Sequence, residues 1–91
     1  MIELNCLIVD DEPLARKVLR EYVEDVDFLS VAGEADTPIA ANNIISSRKI
    51  DLQFLDIQMP KVSGLDFLKN LPSAPLTVIT TAYPEYALQG F

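Results

Sequence analysis

The stretch LIVDDEP, residues 7–13, decides the fold of this chain. Three apolar residues are followed at once by Asp10 and Asp11, and Pro13 comes two residues later. Proline fits the first turn of a helix, because the N–H that it lacks is not needed there. An apolar run that ends in this way predicts a buried strand over residues 4–9 that leads into a helix starting near Glu12.

A second apolar run ends in the same way. A strand is predicted over residues 51–55, and Asp56 follows it. If the two strands are parallel neighbours, Asp10, Asp11 and Asp56 meet at one edge of a sheet, where open α/β sheets bind ligands. Three acids at such an edge indicate a divalent cation and phosphate chemistry.

The rest of the chain alternates between strand and helix patterns. Further strands are predicted over residues 28–33 and 76–80, and further helices start at Thr37-Pro38, at Leu65 and at Pro84. This alternation predicts a parallel sheet with helices on both faces. In the first helix, i+4 spacing predicts an apolar stripe that consists of Leu14, Val18, Tyr22 and Val26. Leu19 and Val23 lie beside this stripe.

Composition excludes several classes of function. The chain has 91 residues, one small domain at most, and a net charge of −7, which argues against nucleic acid and anionic membranes as partners. It has no histidine, which excludes Ser-His and Cys-His nucleophiles. Its one cysteine, Cys6, is interpreted as a buried small hydrophobe. We see no signal peptide and no apolar run long enough to span a bilayer, so the expected location is the cytoplasm.

Each candidate residue also has an ordinary structural interpretation. Asp11 could cap the helix that Pro13 starts, and Asp56 could be a turn residue. Thr80 and Thr81 could be unremarkable strand residues. Taken together they favour a site, because each lies at the end of a strand on the same rim of the sheet.

Three motifs resemble one family. LIVDDEP, LDIQMPKVSG and VITTAY resemble, in this order, the receiver domain of bacterial response regulators in two-component signalling. The match consists of Asp10-Asp11, of Asp56 with Met59, Pro60 and Gly64, and of Thr81-Ala82. The stretch TTAYPEYALQGF further resembles receivers that are joined to LytTR-type DNA-binding domains.

The resemblance implies a flavodoxin-like (CheY-like) doubly wound parallel α/β sheet over residues 1–91. Four strands would be present in the order 2-1-3-4, while the fifth strand and fifth helix would be missing. In this order the first and third strands are neighbours, and the chain leaves them in opposite directions. The acids would therefore lie at the topological switch point.

The resemblance also assigns roles to the site residues. Asp56 would be the phosphoacceptor, and Thr81 would donate its hydroxyl to the phosphoryl group. Mg²⁺ would be held by Asp10, Asp11, Asp56 and the backbone carbonyl of Gln58. A cation is physically reasonable, since two carboxylates about 5 Å apart repel by roughly 3 kcal/mol at an effective dielectric constant near 20.

The implied partners are a sensor histidine kinase and a covalently linked output domain of the LytTR DNA-binding type that is absent from this chain. The domain itself would bind neither nucleic acid nor a membrane, and it would not be a turnover enzyme. Without a fifth strand, the apolar fourth strand would be an uncovered edge. We therefore expect a dimer or a domain-swapped oligomer through that edge.

Two alternatives remain open. The family's phosphoryl-pairing lysine lies at the end of the fifth strand, so this chain could be a pseudo-receiver, an interaction module that takes no phosphate. A phosphatase of the haloacid-dehalogenase type would also form an aspartyl phosphate. It is disfavoured, because it needs a second aspartate where this chain has Gln58.

Overall fold

The computed structural model describes residues 2–56 and 75–80. The elements in this part of the chain are β1 (Leu4–Val9), α1 (Pro13–Glu24), β2 (Leu29–Ala35), α2 (Pro38–Ser47), β3 (Leu52–Asp56) and β4 (Leu76–Thr80). The helices predicted from Leu65 and from Pro84 lie outside the described residues, as does the loop between Met59 and Gly64.

The four strands form one parallel sheet in the order β2-β1-β3-β4, which confirms the predicted order. The strands β1 and β4 have the predicted bounds, whereas β2 extends to Ala35. The strand β3 is shifted by one residue, because Asp56 pairs with Thr80 and so belongs to the strand instead of following it. The carboxyl ends of β1 and β3 therefore lie side by side.

The core is built on β1, whose last four residues are fully buried. Alternate residues of a strand face opposite sides of the sheet. Leu7 and Val9 pack with Leu55 and with Ala41 of α2 in one core cluster. Cys6 and Ile8 therefore face the opposite side. Burial on both faces is typical of a central parallel strand.

One irregularity interrupts the pairing of β1 with β2. Cys6 pairs with Val31 but Leu7 pairs with Gly33, so Ala32 is an extra residue in β2. The carbonyl oxygen of Ala32 accepts a hydrogen bond from the guanidinium of Arg48, which follows α2. The bulged backbone is thus tied to the end of a helix.

The side of α1 that is buried differs from the predicted apolar stripe. Leu14 and Tyr22 are 69% and 67% exposed, and Val18 is also exposed, whereas Val23 is buried. Two arginines of the same helix reach a carboxylate on β2, as described below. None of the helices in the described ranges is long and apolar enough to cross a membrane.

The start of α2 follows the predicted capping pattern. Thr37 precedes Pro38, and its side-chain hydroxyl accepts a hydrogen bond of 3.1 Å from the backbone N–H of Ala40. This bond satisfies one of the N–H groups that the first turn of a helix leaves without a partner.

Candidate metal centre at the sheet edge

Three carboxylates meet where β1 and β3 end. One oxygen from each of Asp10, Asp11 and Asp56 lies within 4.8 Å of the other two. Asp10 and Asp11 directly follow β1, and Asp56 is the last residue of β3. The topology creates this cluster, since parallel neighbours end at the same edge of the sheet.

Asp10 is the most deeply placed of the three. Its side chain is buried, and its backbone N–H donates to the carbonyl of Ala35 over 3.0 Å, which extends the pairing of β1 with β2. Its Oδ1 accepts a hydrogen bond of 2.9 Å from the backbone N–H of Glu12. The interpretation of Asp11 as the helix cap is therefore wrong: the N-cap residue is Glu12, and the side chain that bonds to this turn comes from Asp10.

Burial raises the pKa of the Asp10 carboxyl, chiefly because it disfavours the charged form. The negative charge of Asp11 acts in the same direction, while the Glu12 N–H and the positive charge of Arg16 act against it. The net result is a carboxyl group whose charged form is disfavoured, in spite of Arg16. A cation at the cluster would favour that form.

A pair of arginines on α1 supports the backbone of the cluster. Arg16 Nη1 donates to the carbonyl oxygen of Asp10 over 2.7 Å, and its Nε lies 3.6 Å from an oxygen of Glu34 on β2. Arg20 donates to the other oxygen of Glu34 over 2.8 Å. Sequence reasoning missed these residues. The available signal was a pair of basic residues with i, i+4 spacing, one turn after two acids.

The donor set fits a hard divalent cation. Mg²⁺ in proteins is bound by carboxylates together with water and phosphate oxygens, and this partly exposed edge of the sheet supplies three carboxylates. Two predicted site residues, Gln58 and Thr81, lie outside the described residues, so the geometry of the site rests on the three aspartates.

Two polar atoms in the described ranges are buried without a hydrogen-bond partner. Gln53 Oε1 belongs to a fully buried side chain whose Nε2 donates to Thr77 Oγ1 over 3.0 Å. The other atom is Thr80 Oγ1, at the end of β4 opposite Asp56. Thr80 thus contributes a buried hydroxyl beside the acidic cluster, which the ordinary strand interpretation did not foresee.

The sequence of the chain matches a family model described as the response regulator receiver domain, over residues 6–89. The chain belongs to the receiver domain family. Receiver domains are signalling domains and in general not turnover enzymes. They generally bind Mg²⁺ at an acidic cluster, and this receiver domain has such a cluster at the end of β1 and β3.

Curated relatives resemble this receiver domain along almost its whole length. An uncharacterized response regulatory protein of Vibrio parahaemolyticus is 40% identical over 97% of the chain, and the match covers 37% of that protein. The transcriptional regulatory protein BtsR of Escherichia coli is 38% identical over 97% of the chain and 38% of its own length. The chain thus spans less than two fifths of these relatives.

Solved structures show the same fold. The MaeR response regulator bound to beryllium trifluoride is 30% identical, with a TM-score of 0.82 over 88% of this chain and 68% of that one. The response regulator domain of Thermotoga maritima CheB is 26% identical, with a TM-score of 0.80 over 97% of this chain and 72% of that one. These likenesses agree with the flavodoxin-like sheet order of the structure.

Proposed function

We propose that this receiver domain accepts a phosphoryl group on Asp56 from a sensor histidine kinase, in a reaction that depends on Mg²⁺. The observation that carries the proposal is the placement of Asp10, Asp11 and Asp56 within 4.8 Å of one another at the switch point of the sheet. These three carboxylates and the backbone carbonyl of Gln58 would hold the metal. Bound Mg²⁺ would neutralise charge on the phosphoryl oxygens.

Asp56 is the nucleophile of the proposed reaction. One of its carboxylate oxygens forms a bond to phosphorus while the bond between phosphorus and the phosphohistidine nitrogen breaks. The imidazole leaves with that electron pair and takes up a proton from solvent. The product is an acyl phosphate on Asp56, and Thr81 donates its hydroxyl to the new phosphoryl group.

The likeness to MaeR supports this assignment. That response regulator is bound to beryllium trifluoride. Beryllium trifluoride attached to an oxygen is tetrahedral and anionic, as a phosphoryl group is. A chain 30% identical to MaeR, with three clustered carboxylates, is a reasonable host for the same chemistry.

The signal would pass to an output domain in a longer protein. BtsR is a transcriptional regulatory protein and is much longer than this chain, which supports control of transcription. The proposed output domain is of the LytTR DNA-binding type, and the proposed location is the cytoplasm. The receiver domain itself carries a net charge of −7 and is proposed to bind no nucleic acid.

Self-association through β4 is a further part of the proposal. Among the described strands, β4 pairs only with β3, and its Leu76 and Val78 are 74% and 42% exposed. An apolar edge strand offers unpaired backbone groups and side-chain area to a second copy. A dimer or domain-swapped oligomer through this edge would pair these backbone groups and bury the apolar side chains.

Intact-mass spectrometry tests the phosphoacceptor role. The chain is incubated with Mg²⁺ and acetyl phosphate, beside Asp56→Asn and the matched control Asp36→Asn, which alters an exposed acid outside the cluster. We expect one added phosphoryl group in the wild type and in the control, and none in Asp56→Asn or without Mg²⁺. Wild-type chain that takes no phosphoryl group would favour the pseudo-receiver. An adduct that persists in Asp56→Asn would move the acceptor to another residue.

A further inference from the structure

The hydroxyl of Thr80 is buried and has no hydrogen-bond partner within residues 2–56 and 75–80. Leaving a buried polar group without a hydrogen bond destabilises a protein, so native structures contain few such groups. Where one persists beside a site, a function in the occupied state is a physical reason for it.

Thr80 is placed to act on Asp56. It is the last residue of β4 and pairs with Asp56, the last residue of β3. Paired residues of parallel neighbours direct their side chains to the same face of the sheet. The orphaned hydroxyl therefore lies on the face and at the edge where the three carboxylates gather.

Thr77 on the same strand provides an internal comparison. It pairs with Gln53, and its Oγ1 accepts from Gln53 Nε2 over 3.0 Å and donates to the Pro75 carbonyl over 2.9 Å. The strand thus carries one hydroxyl that is satisfied within the sheet and one that is not. The unsatisfied one is the hydroxyl next to the acids.

We propose that Thr80 is a positioning residue for Asp56, whose hydroxyl donates a hydrogen bond to the Asp56 side chain when the site is loaded. The inference rests on the proposed function. When one Asp56 oxygen is bonded to phosphorus, the other becomes an acyl carbonyl that still accepts a hydrogen bond. A donor held by the neighbouring strand fixes the rotation of that side chain and so the direction of the phosphoryl group.

This role is separate from the one assigned to Thr81. Thr81 is proposed to hold the phosphoryl oxygens, whereas Thr80 holds the carboxyl oxygen that remains on Asp56. The two adjacent residues therefore contact different groups. Substitution of Thr80 removes a contact to the Asp56 side chain and leaves the contacts of the phosphoryl group unchanged.

The test uses beryllium fluoride with Mg²⁺ as the phosphoryl analogue and isothermal calorimetry on the 91-residue chain. Thr80→Val keeps the shape of the side chain and removes the hydroxyl, Thr80→Ser restores the hydroxyl, and Thr77→Val is the matched control. We expect binding by Thr80→Val to be weakened about tenfold, the size of one hydrogen bond. Thr80→Ser and Thr77→Val are expected to bind within about twofold of the wild type, for the same reason.

Thermal unfolding without ligand separates this role from a structural one. Thr80→Val removes an unsatisfied group, so its Tm should rise, by about 4 °C or more. Thr77→Val removes a satisfied hydroxyl, so its Tm should fall. A merely structural threonine would not give higher stability together with weaker binding of the analogue.

The possible outcomes separate failure of the proposed function from failure of the role proposed for Thr80. A wild-type chain that binds no beryllium fluoride would overturn the proposed function and this inference with it. If the wild type binds the analogue and Thr80→Val binds it equally well, only the role of Thr80 is overturned. Failure of Thr80→Ser to restore binding would also exclude the hydroxyl as the cause.

Discussion

The guanidinium of Arg16 donates a hydrogen bond of 2.7 Å to the backbone carbonyl of Asp10, the first acid of the cluster. The contact joins the first turns of α1 to the end of β1. Because Glu34 of β2 faces the same guanidinium at 3.6 Å, the arginine is held between two strands. One basic side chain thus fixes the peptide from which the Asp10 carboxylate projects.

Replacing Arg16 should weaken the folded state and the metal site together. Arg16→Gln loses a charge-assisted hydrogen bond to a carbonyl, which costs about 1–2 kcal/mol of unfolding free energy. We expect a matching fall in the midpoint of urea unfolding and weaker binding of Mg²⁺. Lys17→Gln removes an equal charge from an exposed neighbouring position and should change neither quantity much. Equal effects of the two substitutions would reduce the role of Arg16 to general charge.

The raised pKa of Asp10 predicts a pH dependence of stability. The pKa of this carboxyl is higher in the folded chain than its ordinary value of 3.8. The folded state therefore binds the proton more tightly, so this residue favours folding most below pH 3.8 and loses that contribution as the pH rises through the folded pKa. Asp10→Asn, whose amide oxygen can still accept from Glu12, should be more stable than the wild type at pH 7.

Urea unfolding from pH 3 to pH 8 checks this expectation. The stability difference between Asp10→Asn and the wild type should close as the pH falls, whereas Asp36→Asn, an exposed acid, should show no such trend. Millimolar Mg²⁺ should narrow the difference at pH 7, because it stabilises only the chain with all three carboxylates. A difference independent of pH would contradict the electrostatic cause.

The cap of α2 should make a measurable contribution to stability. Thr37→Ala removes the acceptor of the 3.1 Å bond from the Ala40 N–H and should destabilise the chain by about 1 kcal/mol. Thr37→Ser keeps the oxygen and should retain most of the stability. Chemical denaturation of both variants gives the comparison, and the prediction fails if alanine and serine are equivalent.

Self-association through β4 predicts a response to charge on the strand. Val78→Lys places a charged side chain on the proposed edge interface and should shift the chain toward monomer in multi-angle light scattering. Leu14→Lys alters an apolar residue on α1 that is more exposed than Val78, and it should leave the oligomer intact. A wild-type monomer at high concentration, or dissociation by both substitutions, would refute the β4 interface.

Local patterns in the sequence were sufficient for the strands and for the acidic edge, whereas the strand order came from the resemblance to the receiver family. The bounds of β1 and β4 follow from apolar runs with polar ends, and the start of α2 follows from Thr37-Pro38. These features depend on neighbours in the chain, so periodicity and capping rules apply directly. The prediction that the sheet order is 2-1-3-4 is confirmed, whereas the roles of Asp56, Gln58 and Thr81 stay predictions.

The features that sequence reasoning missed depend on contacts between distant segments. Arg16 and Arg20 reach Glu34 and so join α1 to β2, and no pattern within the helix encodes these contacts. Asp56 belongs to β3 because Thr80 extends the pairing by one residue. The Thr80 hydroxyl has no partner among the described residues, and a sequence pattern cannot show this because hydrogen-bond partners come from other segments of the chain.

The extra residue at Ala32 has a consequence far from where it occurs. The side chains of a strand alternate between the two faces of a sheet, so a single inserted residue reverses the parity of everything after it. Because Ala32 is unpaired, Ala35 lies on the side of the sheet that α2 covers, and Glu34 lies on the side that α1 covers. Without the insertion Glu34 would point into the core, and Arg16 would lose the carboxylate that steadies it. The bulge in β2 thus places the carboxylate that Arg16 contacts while it donates to Asp10.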